Sequence, residues 1–486
     1  MTFSSVSPES QGVPAAAVAA FLEGLKELAL PMHSVLLVRR GALLAEYYAE
    51  PYPADVPHRI YSASKSFVAL AVGLLVGEGK LSVRDRLAVY FPEKVPLDAD
   101  ALALETTVED LLRMAPPFSD ESYDSLKGDV VESFFRAETT HPAGTIFCYN
   151  AASPAVLTAL VEKLAGEPML SYMWPRLLKP LGFSPRTWCV KMPQGLSWGA
   201  SGIMCTPRDL AKLGVLLLNK GVWEGRRLLP EEYVRAACGR QLDSDAENTG
   251  TESGFGYGYL IWRTRHSGFA FCGMGSQYLV CLPKEELVLV TTGDTQAVRG
   301  GSDALLNCFW RTVYAALQPN GTALTAEARP ATERLALPLP FSDGGSGPPE
   351  GIWGRRAVMR ENSMGISWMC FEREEDSILW RYENRTGEHQ LRFGVGCYRE
   401  QTFPETHYYI DTVGRPGGRG YRCQAGAVWS CVGMLAARVY ITDVNVGTGK
   451  MTFRFERDRV SVWMTACAEF FLTEYRGFGW GCFSAD

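Results

Sequence analysis

The sequence predicts an α/β domain, an antiparallel sheet flanked by helices with an inserted all-α lobe, followed by an all-β antiparallel barrel or sandwich. Three observations lead there. Strand patterns lie at both ends of a mainly helical stretch, so one sheet assembled from both ends is the simplest arrangement. Residues Gln318 to Pro349 are rich in Pro, Gly, Ser and Ala and read as a linker. Beyond them the pattern changes to short alternating strands spaced roughly ten residues apart. The expected boundaries are 1–317 for the first domain, 318–349 for the linker and 350–486 for the β domain.

Each element has a local reason. Ser7-Pro8-Glu9-Ser10-Gln11-Gly12 is a turn, and the apolar spacing after it predicts a helix from about Pro14 to Leu28. Ser34 to Val38 and Ala42 to Tyr48 read as strands joined by the short Arg39-Arg40-Gly41 turn. A long apolar stretch opens at Ser62 and stops at Gly77-Glu78-Gly79, where glycine suits a helix end. Val108 to Met114, Ala155 to Leu164, Pro207 to Leu218 and Pro230 to Cys238 show helical spacing. Tyr257 to Trp262, Phe269 to Cys272, Tyr278 to Leu282 and Leu287 to Thr292 read as strands, and Asp303 to Leu317 as a helix. In the β domain the clearest strands are Ile378 to Tyr382, Gln390 to Val395, Arg438 to Thr442, Met451 to Glu456 and Val460 to Thr465.

Composition removes several function classes. Of 486 residues, 47% are hydrophobic and 21% charged, which fits a globular protein with ample core. A net charge of −6 without a basic patch argues against nucleic acid as partner. The longest apolar run, Phe67 to Val76, is too short to cross a bilayer, and the first residues lack a secretory pattern. Thirteen irregularly spaced cysteines and six histidines form no metal-ligand pattern. The expectation is a cytoplasmic protein with neither metal nor cofactor nor membrane partner, acting on a small molecule or short peptide. The oligomeric state is left open.

The chemistry starts at Ser62. Of twelve lysines, Lys65 alone has a serine three residues before it. On a helix the two share one face, and an amine there can take the hydroxyl proton and make Ser62 a nucleophile. A second candidate, Tyr149 in Gly144-Thr145-Ile146-Phe147-Cys148-Tyr149-Asn150, lies just before a helix. It can serve as general acid or base if nearby Lys65 lowers its pKa, or simply cap the lobe's core. The third candidate is the glycine-rich strand edge Cys272-Gly273-Met274-Gly275-Ser276-Gln277. A backbone N–H there, that of Met274, joined by the N–H of Ser62 would make an oxyanion hole; the competing reading is a β-bulge without chemistry.

The order and spacing of these three segments resemble the serine β-lactamase and penicillin-recognising hydrolase family. The resemblance is to the branch holding class C β-lactamases, family VIII esterases and 6-aminohexanoate-dimer hydrolases. It covers about residues 5 to 317 and includes Lys80 to Asp85, Ala200 to Ala211 and Tyr257 to Trp262. It implies a β-lactamase-like fold and a hydrolase that forms an acyl-enzyme on Ser62, with Lys65 and Tyr149 as one proton-transfer unit. The substrate is an amide or ester. Small acyl esters, or mere binding of a peptide or cell-wall fragment, are the alternatives. Asn150, Gly273, Gly275 and Gln277 are then expected to contact substrate. Two departures stand out: the asparagine follows Tyr149 directly, and Cys272-Gly273 stand where penicillin-binding members carry a lysine or histidine. Without that cation β-lactams fit the site less well. The β domain resembles the small β domains attached to several such hydrolases, and Gly351-Ile352-Trp353 resembles the first strand of a lipocalin-like barrel.

Overall fold

The computed structural model describes residues 3–119, 128–244, 251–320, 335–345, 347, 351–404, 420–469 and 471–484. Much of the expected linker, 321–334 with 346, 348 and 349, lies outside the described residues. Two compact units are present, residues 1–295 with 300–336, and residues 296–299 with 337–486.

The first unit is organised by a six-stranded antiparallel sheet. Its strands are β1 (Met32–Arg39), β2 (Ala42–Tyr48), β8 (Trp262–Arg263), β9 (Phe269–Gly273), β10 (Gln277–Leu282) and β11 (Leu287–Gly293), in the spatial order β2-β1-β11-β10-β9-β8. Every residue of β1, β10 and β11 is buried, so both faces of these strands are covered. Five two- or three-residue strands complete the unit: β3 (His58–Arg59), β4 (Trp188–Cys189) and β5 (Ile203–Cys205) in a small sheet, β6 (Val222–Trp223) and β7 (Arg226–Arg227) in a ribbon.

The helices are α1 (Ala15–Glu27), α2 (Ser64–Gly77), α3 (Ala101–Glu105), α4 (Val108–Leu112), α5 (Val130–Arg136), α6 (Ala152–Ala165), α7 (Met169–Met173), α8 (Pro207–Leu218), α9 (Glu231–Cys238) and α10 (Gly301–Arg311). The register assigns them to faces. Phe271 lies opposite Leu279, so both project to one face, and Phe67 of α2 meets Phe271 at 6.4 Å between rings. Gly214 of α8 lies against Leu279 and Val288 on that same face. Tyr278 projects to the other face, where Ser302 of α10 bonds it, and Phe309 of α10 meets Phe21 of α1 at 5.8 Å. Helices α3 to α7 form the inserted lobe. Helix α2 is apolar all round because it is buried all round: each residue from Ser64 to Leu75 is covered.

One expected strand is corrected. Tyr257 to Trp262 does not run extended: the chain folds back, with Leu260 at φ 52° and Tyr257 bridged to Trp262, and β8 holds only Trp262 and Arg263. The segment is apolar because it is buried, and its shape follows from tertiary bonds. Leu260 N donates to Leu112 O at 2.7 Å, and Leu260 O accepts from Ser66 Oγ at 2.6 Å.

The second unit is a closed β-barrel. Its strands are β12 (Arg356–Met359), β13 (Trp368–Arg373), β14 (Ser377–Asn384), β15 (Gly387–Val395), β16 (Arg399–Phe403), β17 (Tyr421–Cys431), β18 (Met434–Thr442), β19 (Val446–Phe455), β20 (Arg459–Ala468) and β21 (Gly477–Phe483). The ring runs β15-β14-β13-β12-β21-β20-β19-β18-β17, antiparallel throughout, and a parallel pair between β15 and β17 closes it; β16 pairs with the preceding residues of β17, antiparallel, beside that closure. Strand β20 alternates exposed and buried over most of its length, one row to solvent and one to the lumen. The lumen is filled: Trp380 stacks on Tyr382 at 3.9 Å, and Phe371, Phe393 and Phe453 pack around them.

Candidate active site

Ser62 sits in a single 3-10 turn, Tyr61–Ala63, that runs straight into α2. The turn begins under strain, because Tyr61 holds φ 47°, a conformation that costs a bulky residue free energy. The small sheet holds it in place. Arg59 pairs with Met204, Ile60 N donates to Ile203 O at 3.0 Å, and Ile203 N donates to Ser64 Oγ at 3.0 Å.

Lys65 lies one helical turn on and is 5% exposed. Its Nζ is 3.0 Å from Ser62 Oγ and donates to Ala200 O at 2.9 Å. That distance permits direct proton transfer between amine and hydroxyl. The Ala200 carbonyl belongs to a turn in which Ser201 N and Gly202 N both donate to Trp198 O, at 3.1 and 2.7 Å.

Tyr149 closes the constellation. Its hydroxyl hydrogen-bonds Ser62, and Lys65 Nζ stands over its ring at 5.0 Å from the centroid. The expected lowering of its pKa is corrected. Burial of the hydroxyl pushes the pKa up, and the bond to Ser62 opposes this without overcoming it. Aromatic neighbours crowd the ring, Trp262 at 5.3 Å and Tyr257 at 6.4 Å, and Lys65 faces the ring rather than the oxygen. Tyr149 is therefore a neutral phenol at neutral pH. Cys272 beside it is likewise pushed up by burial and stays a neutral thiol.

The end of β9 meets the Ser62 turn directly. A Cβ on Gly273 would lie 2.1 Å from Ile60 O and 3.2 Å from Ala63 N, so a residue without a side chain is needed there. Met274 follows in the turn to β10. Ser62, Lys65, Tyr149 and Gly273 are thus brought together, with Met274 next to them in the chain.

Two side chains expected to contact substrate, Asn150 and Gln277, are engaged within the protein. Asn150 is 3% exposed, and its carboxamide is fully used: Nδ2 donates to Cys148 O at 2.5 Å and to Met114 Sδ at 3.7 Å, while Oδ1 accepts from Ser153 N at 2.7 Å. It thereby ties the loop to the first turn of α6. Gln277 is 0% exposed and ties the strand ends together. Its Nε2 donates to Met274 O at 2.9 Å and Gly293 O at 2.6 Å, and its Oε1 accepts from Gly293 N at 3.2 Å. Gly275 has φ 80° and serves the turn. Sequence reasoning also missed a contributor, the Ala200 carbonyl. A backbone oxygen has no signature beyond the glycines that flank it, Gly199 and Gly202.

Among the described residues no group of three or more His, Cys, Asp or Glu side chains could hold a metal ion, and no helix is long and apolar enough to cross a membrane. All thirteen cysteines are free thiols.

Residues 16–303 match the family model described as Beta-lactamase. The chain is 26% identical over 281 residues to the 6-aminohexanoate-dimer hydrolase of Paenarthrobacter ureafaciens, covering 52% of this chain and 70% of that protein. It is 28% identical over 214 residues to esterase EstB of Burkholderia gladioli, covering 37% of this chain and 54% of that protein. The solved penicillin-binding protein homologue from Caulobacter crescentus shares the fold, with a TM-score of 0.52 at 15% identity, covering 64% of this chain and 99% of that one. The matched residues span the sheet, the inserted lobe and the Ser62 turn, and the chain belongs to the beta-lactamase family of hydrolases.

Proposed function

We propose that this hydrolase cleaves an amide or ester through an acyl-enzyme on Ser62. The observation that carries the reading is Lys65 Nζ at 3.0 Å from Ser62 Oγ, with the Tyr149 hydroxyl bonded to the same serine. Lys65 takes the Ser62 proton as Oγ attacks the carbonyl carbon. The proton taken from Ser62 ends on the departing amine or alcohol, delivered by Lys65 and Tyr149 acting as one proton-transfer unit. The developing oxyanion lies between the N–H groups of Ser62 and Met274. Water then attacks the acyl carbon and frees Ser62.

The related proteins' names support the bond class, one a dimer hydrolase and one an esterase. The neutral Cys272 favours an acyl group without a carboxylate at that edge. A small molecule or short peptide as substrate, no nucleic acid or membrane partner, and a cytoplasmic location belong to the same proposal. Fluorophosphonate labelling tests it: intact mass should show one adduct, lost in Ser62→Ala, and p-nitrophenyl butyrate should turn over faster than nitrocefin. Labelling that persists in Ser62→Ala would move the nucleophile elsewhere.

A further inference from the structure

The cation nearest in sequence to Ser62 on its N-terminal side is Arg59, and it is 1% exposed. Burying a guanidinium is costly unless each face and edge is used. Here the edge is held by Ser201, with Nε donating to Ser201 O at 3.0 Å and Nη2 to Ser201 Oγ at 3.1 Å. The guanidinium carbon also stands over two rings, Tyr61 at 4.2 Å and Trp198 at 4.6 Å from their centroids. Each of these three partners leads to the reacting atoms. Tyr61 is the strained residue just before Ser62. Trp198 O accepts the two bonds that shape the turn. Ser201 follows Ala200, whose oxygen receives the Lys65 amine.

We propose that Arg59 is a positioning residue of the catalytic site, clamping Tyr61 and the Trp198–Gly202 turn so that Ala200 O aims Lys65 at Ser62 Oγ. The inference rests on Ser62 being the nucleophile. The planar fork and the flat surface that packs on a ring are properties of arginine, and a lysine supplies neither. Charge alone therefore cannot replace it.

The test uses the full chain with Arg59→Lys and Arg59→Gln, and Trp198→Leu as a second way to loosen the clamp. The readouts are kcat and KM on p-nitrophenyl butyrate, the maximal rate of fluorophosphonate labelling, and thermal unfolding. Arg59→Lys should fold cooperatively yet lose ~10- to 100-fold in kcat and in labelling rate, with KM changed less than about threefold, because displacing a catalytic group by a fraction of an ångström costs rate rather than binding. Trp198→Leu should show the same split in smaller measure. Wild-type kcat in Arg59→Lys, or losses confined to KM or to the unfolded fraction, would overturn the proposal. Loss of the Ser62 adduct in the unmodified protein would instead sink the nucleophile assignment, so the two failures are told apart.

Discussion

Gly273→Ala perturbs the site without touching any reacting side chain. The added methyl would start 2.1 Å from Ile60 O, whereas an ordinary carbon–oxygen contact needs about 3.3 Å. The end of β9 must therefore withdraw from the Ser62 turn by about 1.2 Å, or the turn must yield by as much. Four residue pairs beyond Gly273 hold β9 to β10, from Tyr278↔Cys272 to Cys281↔Phe269, so the strand survives and only its tip moves. Overpacking of this kind costs about 1–3 kcal/mol of stability. A shift of about 1 Å between the attacking oxygen and its oxyanion donor costs ~100-fold in rate. The assay is kcat for p-nitrophenyl butyrate beside the labelling rate and a thermal melt. A folded Gly273→Ala protein with kcat within about threefold of the parent would refute the reasoning, because β9 would then not form a wall of the site.

The remaining predictions concern the proton-transfer pair and pH. Lys65→Ala and Tyr149→Phe should each lower kcat by several powers of ten, and the double variant should be little worse than either, since groups acting as one unit are non-additive; fully additive losses would separate their roles. His33 and His58 form a buried pair with His33 Nδ1 at 2.8 Å from His58 Nε2, and His58 Nδ1 is at 2.7 Å from Arg59 O. Burial lowers both, His58 to about 4, so the folded state keeps them neutral while the unfolded chain binds protons below the usual histidine value. Stability is present above about pH 6.5 and falls towards pH 4, by about 1.4 kcal/mol per pH unit for each histidine. Urea titrations from pH 7 to 4.5 should show a shallower loss in His33→Gln, and an unchanged slope would contradict this.

The parts of the fold that sequence predicted best are those whose own chain carries the pattern. Ala42–Tyr48 and Pro207–Leu218 fall where the periodicity put them, the latter with Thr206 and Asp209 forming a capping box around Pro207. The Ser62–Lys65 pair was visible because helical spacing alone makes the two neighbours. What escaped depends on partners far along the chain. Gln277 looked like a substrate ligand by position, yet the backbone of Gly293, 16 residues on, takes up its amide. Tyr257 to Trp262 is apolar like a buried strand, and long-range bonds at Leu260 bend it. The raised pKa of Tyr149 comes from burial, which no spacing rule reports. Arg59 is the plainest case, an arginine that would pass for a surface charge until its partners at 198 and 201 are in view.

The barrel's ring joins its first strand to its last: β12 is hydrogen-bonded to β21, with Ala357 opposite Phe483. Its polypeptide therefore enters and leaves at neighbouring staves. Such a module can be spliced onto or out of a host chain at one point on its rim, and its order of strands can be rotated without breaking a pairing. Joining Ser484 to the start of β12 by a short link and reopening the chain at the Arg385–Thr386 hairpin tip would leave the pairs from Ser377↔Gly394 to Asn384↔Gly387 in place. Evolution can thus treat this barrel as a cassette whose seam position is free, while the filled lumen fixes everything else.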